Sequence, residues 1–309
     1  MPVCSLPPRP TSTKAWWLPV AAANVVIIGA QFWASLAAWG FDIEPRDYIP
    51  APSGTNLIAL YSLFEDYGPL SIAGGPTIGG NTGVRSELEV MRYIYYGDIT
   101  GRSYALQFVL PAGTAHGEIA GQKLQATGGI GDVLLAAGVS LLPYPEPDMN
   151  IGIVSYTSLP TGSYGPARQL NLGANRWGED VQLGYTQGVG EKLWFDFAVD
   201  VGVFAANPQA GPSHQPLVQR PTYQLQSWLS YIISPTSLVS IGAAALLGGT
   251  QTLGGTPNGV KTQSQQIRAA YTQVISPSFQ LLGSVAHDVN TVGGFKQTFG
   301  VTLRAAYFF

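Results

Sequence analysis

A chain of 309 residues is long enough for one large domain or two small ones. Hydrophobic residues make up 46% of it and charged residues only 11%, too few charges to cover the outside of a soluble domain of this size. The formal net charge of −3 offers no basic field for a nucleic acid, so no nucleic-acid partner is expected.

The first element in chain order is an apolar run, Ala15–Ala38, interrupted by Pro19, Asn24 and Gln31. Arg9 and Lys14 precede it, and it ends in Ser35-Leu36-Ala37-Ala38. A basic start, an apolar middle and a small-residue end predict a secretory signal peptide over residues 1–38, cleaved near Ala37 or Ala38. An uncleaved anchor is the alternative. Cys4 is the sole cysteine and would leave with the signal, so the mature chain is expected to have no thiol or disulfide chemistry. Residues 39–54 carry Pro45, Pro50 and Pro52, which predict an extended segment. It is expected either to lead in from the periplasm or to act as a plug, entering the lumen of the domain formed by residues 55–309.

Residues 55–309 are dominated by period two, the mark of strands with two unlike faces. In Leu193–Val203 the odd positions are Leu, Phe, Phe, Val, Val and Val, opposed by Trp194, Asp196, Ala198, Asp200 and Gly202. Twelve strands are expected, at 55–65, 84–96, 101–110, 132–142, 149–158, 178–187, 192–204, 222–233, 236–247, 263–275, 278–288 and 296–309. The second is the least regular, because Leu88 and Val90 share a face with Arg92. Tight links at 97–100, 143–148, 188–191, 234–235 and 276–277 alternate with longer ones at 66–83, 111–131, 159–177, 205–221, 248–262 and 289–295. Such alternation predicts an all-β, up-and-down antiparallel barrel in the bacterial outer membrane, with short turns and both termini periplasmic. The strand lengths suit a tilted crossing, and unpaired backbone groups cannot be left in lipid, so the sheet must close.

The last strand places Phe299, Val301, Leu303, Ala305, Tyr307 and Phe309 on one face. Lys296, Thr298, Thr302 and Arg304 lie on the other. The apolar face is expected toward lipid, with Tyr307 and Phe309 in the aromatic girdle. The ending Tyr307-Phe308-Phe309 resembles the terminal signal of outer-membrane barrels, which implies the outer-membrane insertion machinery as a partner besides the lipid bilayer.

Three stretches carry a closer resemblance: FDIEPRDYIPAPSGTNLIALY (Phe41–Tyr61), GGIGDVLLAAGVSL (Gly128–Leu141) and LPTGSYGPARQLNLGANRWGEDVQLGYT (Leu159–Thr186). Together they resemble the "putative MetA-pathway of phenol degradation" family of outer-membrane proteins, over roughly 41–309. The resemblance implies a barrel from bacteria that degrade aromatic or hydrophobic compounds, through which such compounds pass. It brings no set of functional residues.

On the expected faces, Glu87, Glu89, Asp132, Asp196, Asp200, Arg268, Asp288, Lys296 and Arg304 point into the lumen. They would either set a selectivity field or brace the wall by pairing across it. Trp194, Trp228, Tyr93 and Tyr95 are also expected inside, as a stacking path for an aromatic solute or as packing. Twelve strands give a bore between a side-chain-filled and an aqueous barrel, so a loop or residues 39–54 would narrow it. The three histidines, His116, His214 and His287, lack metal-site spacing, and no Gly-x-Ser-x-Gly elbow occurs, so neither a metal, a cofactor nor an enzyme is expected. The expected function is passive passage of small hydrophobic or aromatic compounds. The alternatives are a structural or adhesive barrel with a blocked lumen and, third, a lipid-modifying enzyme.

Overall fold

The computed structural model describes residues 42–143 and 148–309; the expected signal at 1–38, the start of the 39–54 segment and most of the 143–148 turn lie outside the described residues. Twelve long strands form one antiparallel sheet: β1 (Asn56–Ser71), β2 (Gly83–Ile99), β3 (Arg102–Ile119), β4 (Leu134–Ser140), β5 (Met149–Ser158), β6 (Gly178–Val189), β7 (Leu193–Phe204), β8 (Thr222–Ser234), β9 (Ser237–Gly248), β10 (Gln263–Ser276), β11 (Phe279–Val292) and β12 (Phe295–Phe308). Each pairs with its neighbour in sequence. The sheet closes where β1 meets β12, from Leu57 opposite Phe308 up to Leu70 opposite Phe295. Asn56 and Phe309 seal the end of this seam with two backbone bonds of 2.8 and 2.9 Å. Among the described residues no helix is long and apolar enough to cross a membrane.

Alternation turns the usual inside-out rule around. On β7, Phe195 is 38% exposed while its neighbour Asp196 is 1% exposed. The large apolar side chains face outward all round the barrel, and the buried residues of the wall include Asp, Gln, Ser and Thr. That arrangement is stable only against hydrocarbon, with each inner polar group bonded.

Two expected faces are corrected. On β2 the inner row is Ser86, Leu88, Val90, Arg92, Ile94 and Tyr96, so Glu87, Glu89, Tyr93 and Tyr95 lie on the outer surface. The face is set by Arg92, which finds Gln107 at 2.9 Å and Asp47 at 3.8 Å inside the barrel; in lipid it would have no partner. Glu89 instead accepts a 2.7 Å bond from Ser62 on the outer wall. On β12 the expected inward Lys296 and Thr298 are also outside. Asp66 pairs with Phe299 and Tyr67 with Gln297, so Thr298 bulges and the alternation inverts beyond it. Gln297 takes the inner place, 3% exposed, while Lys296 donates to the Val289 carbonyl at 3.1 Å.

The connections also differ at the end bearing the longer loops. Much of 66–83, 111–131 and 289–295 is strand, because β1, β2, β3, β11 and β12 continue beyond their expected ends. Residues 127–130 return along Ala112–Ala115 of β3. Segments 207–210, 215–219, 251–253 and 256–257 form a separate four-stranded antiparallel sheet. A cluster of Leu70, Val84, Ile119, Leu170, Leu172, Val260 and Phe295 packs beneath this end as a hydrophobic roof. The other end carries short turns, such as Thr100-Gly101 and Pro277-Ser278, together with the β1 and β12 termini.

Closure can be tested by cross-linking. Leu60 and Ala305 face each other across the β1–β12 seam. With Cys4 replaced, Leu60→Cys plus Ala305→Cys is expected to oxidise to a disulfide in the membrane-inserted barrel, because directly opposed residues stand within disulfide reach. Leu60→Cys plus Ala306→Cys is expected to give none, since Ala306 faces the lumen. Gel mobility with and without reductant reads the outcome.

Candidate functional site

Residues 42–51 lie inside the barrel, and residues 52–54 are exposed at its short-turn end. The segment was expected extended, but it turns: Asp47 N donates to the Glu44 carbonyl and Ile49 N to the Arg46 carbonyl, both at 3.1 Å. Pro45 takes the second position of the first turn, where its fixed φ fits, and Pro50 follows the second turn, so neither removes a donor the turns use.

Five residues of this segment bond to the inner wall. Asp42 accepts from Gln224 at 2.6 Å and lies 3.5 Å from the Arg268 guanidinium. The Ile43 amide donates to Gln226, and its carbonyl accepts from the Trp228 indole at 2.8 Å. The Arg46 amide donates to Asp196 at 3.1 Å while its guanidinium stacks on Trp194, 4.4 Å from the ring centre. Asp47 sits between Arg304, at 3.0 Å, and Arg92, at 3.8 Å. The Tyr48 hydroxyl donates to Gln182 at 2.8 Å, and Asn150 donates to the Tyr48 carbonyl at 2.6 Å. The Tyr48 ring rests against Gly184, where any Cβ would collide with it.

The expected inward residues therefore divide. Asp196, Arg268, Arg304, Trp194 and Trp228 converge on the segment. Asp200 accepts from Gln182 at 3.1 Å, in the row behind it. Asp288 lies nearer the roof and accepts from Gln266, Thr291 and the Gln297 amide. Asp132 is fully buried just before β4 and serves the roof, accepting from the backbone of Gly162 at 2.8 Å and Ala174 at 2.7 Å. Burial raises the Asp132 carboxyl, and the Ala174 and Gly162 amides oppose that rise. Tyr307 and Phe309 are on the outer surface, stacked with ring centres 5.8 Å apart. His116 and His287 are exposed on the strands and His214 in a turn, so the three histidines do not gather.

Asp42, Glu44, Asp47, Tyr48, Tyr61, Glu65 and Arg92 were missed as inner polar residues. Arg92 carried a legible signal, since an arginine within an apolar row is costly toward lipid. The segment residues carried none, because their partners lie far along the chain.

Along the barrel axis the lumen is layered. Below the roof lies a cavity of about 140 Å³, bordered by Glu44, Leu63, Glu65, Leu88, Leu172, Trp228 and Arg268. Next comes the turn of the N-terminal segment. Beyond it a vestibule of about 760 Å³ reaches the short-turn end, bordered by Thr55, Pro235, Pro277 and Phe309. The roof itself rests on loop 159–177. Gly162 and Gly173 touch backbone to backbone there, so a Cβ on either would stand 2.7 Å from the other. Arg176 donates to Gln219 at 2.6 Å and lies over Phe204; burial pushes its guanidinium down to about 10.

Residues 70–305 match the profile of the family described as "Putative MetA-pathway of phenol degradation". The chain is similar in structure to the COG4313 outer membrane channel from Pseudomonas putida F1, at 26% identity and a TM-score of 0.82, over 87% of this chain and 100% of that one. It shares its fold with the transport unit of the autotransporter AIDA-I from Escherichia coli (9% identity, TM-score 0.50, 90% and 98% of the chains). The same holds for the beta domain of the Bordetella autotransporter Brka (8% identity, TM-score 0.52, 82% and 98%). No curated protein sequence matches it.

Asp132→Ala leaves two buried backbone donors without an acceptor, at about 1–3 kcal/mol each. The expected result is a barrel that still closes but whose 159–177 loop opens more often. Trypsin cleavage after Arg168 in the detergent-solubilised protein should accelerate by about tenfold or more. An unchanged rate would show that the roof does not depend on Asp132.

Proposed function

The chain belongs to this phenol-degradation family of barrels, and on that premise we propose that it is an outer-membrane channel for passive entry of small hydrophobic or aromatic compounds. The observation that carries the reading is the layered lumen, two cavities separated by a short turn that bonds to side chains of the wall and is no part of the sheet. The similarity to an outer membrane channel supports it. In this reading the short-turn end and both termini face the periplasm, the roofed end faces outward, and residues 1–38 bring the chain to export. The insertion machinery recognises the last strand through Tyr307 and Phe309.

Residues 42–51 then act as the restriction. Asp47 is the joint, since it answers two arginines on the strands either side of β1, Arg304 and Arg92. The acids and arginines of the inner wall serve to hold the segment more than to present a field to a solute. A barrel with a structural or adhesive role draws on the same segment and the same roof, read as permanent blocks.

The two readings part in one experiment. Removing one partner of a buried ion pair costs about 3–5 kcal/mol, so Asp47→Asn should loosen the segment without touching the membrane wall. Entry of phenol or toluene into cells should be faster with the wild-type protein than without it. Asp47→Asn should raise the single-channel conductance of the purified barrel. No change in either measurement would favour the blocked barrel.

A further inference from the structure

The two arginines that answer Asp47 stand at the head of an apolar track. Three inner rows run side by side at the closing seam: Phe308, Ala306 and Arg304 on β12, Leu57, Ala59 and Tyr61 on β1, and Ile94 and Arg92 on β2. Leu57 lies opposite both Phe308 and Ile94, and Ala59 opposite both Ala306 and Arg92. Leu57, Ala59, Ile94 and Ala306 form one hydrophobic cluster with Phe308 packed against it, and all of these residues border the vestibule. From Phe308 at the short-turn end to Arg304 the strand climbs about 13 Å.

Both guanidinium groups are held in place from the flanking strands. Arg92 donates through Nε and Nη2 to Gln107 at 2.9 and 2.6 Å, and Arg304 through Nη2 to Gln280 at 2.9 Å. Each is left with Nη1 turned toward Asp47. Arg304 Nη1 meets Asp47 Oδ1 at 3.0 Å, whereas Arg92 Nη1 lies 3.8 Å from Oδ2, too far for a hydrogen bond. Among the described residues neither arginine forms another ion pair. One carboxylate therefore serves two fixed guanidinium groups and satisfies one of them fully. The other charged residues that border the vestibule are engaged elsewhere, Asp42 with Arg268 and Arg46 on the Trp194 ring. The arginine side chains keep 14% (Arg92) and 8% (Arg304) of their exposure, and Arg304 and Asp47 border the vestibule but not the cavity below the roof.

We propose that the vestibule binds a monocarboxylate with an apolar tail, its head between Arg92 and Arg304 and its tail along Ala59, Ala306, Leu57 and Phe308. Asp47 is the built-in competitor for this site, the chain's own carboxylate resting in a cradle that Gln107 and Gln280 keep formed. Guanidinium groups fixed in advance bind a carboxylate at little ordering cost. An alcohol brings no charge to them, and an ammonium is repelled by both. A dicarboxylate would lay its second charge on the apolar track. The site goes beyond the passage of neutral compounds and does not depend on it.

The test follows the carboxyl carbon of [1-¹³C]octanoate by nuclear magnetic resonance, with the purified barrel in nonionic detergent and empty micelles as the background. The expected result is a saturable shift that octanol and octylammonium do not reverse. Acetate should compete about tenfold or more weakly, since it leaves the apolar track uncovered. Asp47→Asn removes the competitor and should tighten octanoate binding about tenfold, the opposite of what loss of a merely structural contact would do. Arg304→Gln should weaken binding about tenfold or more, with heat-dependent gel mobility confirming that each variant is a folded barrel. The absence of a saturable shift would overturn the proposal, and so would displacement by octanol as effective as by unlabelled octanoate. Unchanged or weaker binding in a folded Asp47→Asn barrel would overturn it too. The octanol and octylammonium competitions need no variant, so the proposal stays open to refutation even if a substitution prevents folding.

Discussion

The hydrogen-bonded seam between β1 and β12 is the constraint on which the rest depends. A strand in hydrocarbon has no water to satisfy its amides and carbonyls, so an open edge is not available to it. Once the sheet closes, every side chain must choose lipid or lumen, and the composition reflects that choice. Apolar residues go outward in numbers that would aggregate a soluble protein. The few charges, where they lie at the depth of the membrane, go inward and must find one another.

Closure creates a second problem, an interior lined with amides, hydroxyls and carboxylates that need partners. The N-terminal segment supplies many of them. Its backbone reaches Gln226, Trp228, Asn150 and Asp196, and its side chains reach Gln182, Gln224, Arg268 and Arg304. The barrel interior is therefore written as a surface complementary to one short peptide. The glycine at 184 has the same origin, since it is the space that the Tyr48 ring fills.

The sequence made the strands legible because their period is simple and lipid enforces it on every one. Where a neighbouring strand decides the matter, legibility fails. Thr298 bulges out of its pairing with β1, so Lys296 could not be placed from its own alternation. Glu87 and Glu89 misled because they are charged and yet lie on the outer wall, toward the roofed end, beside Phe64 and Ser62. The docking of the segment was open between two readings, since Asp47 and Arg304 stand 257 positions apart and no local pattern joins them. The three stretches that carried the family resemblance do meet in space. Tyr48 joins the first to the third at Gln182 and Gly184, and Asp132 joins the second to the third at Gly162 and Ala174. Their residue choices answer to those contacts.

The pair between Asp47 and Arg304 has a bearing on the order of assembly. One partner precedes the first strand and the other belongs to the last, and both stand next to the seam that closes last in sequence. A finished cylinder roofed at one end leaves little room to thread a peptide inward and seat its turn. The segment is more readily seated while β1 and β12 are still apart, so that the closing wall gathers around a guest already attached to it. The lumen's occupant and its wall would thus become native in one event, and the barrel would be born occupied.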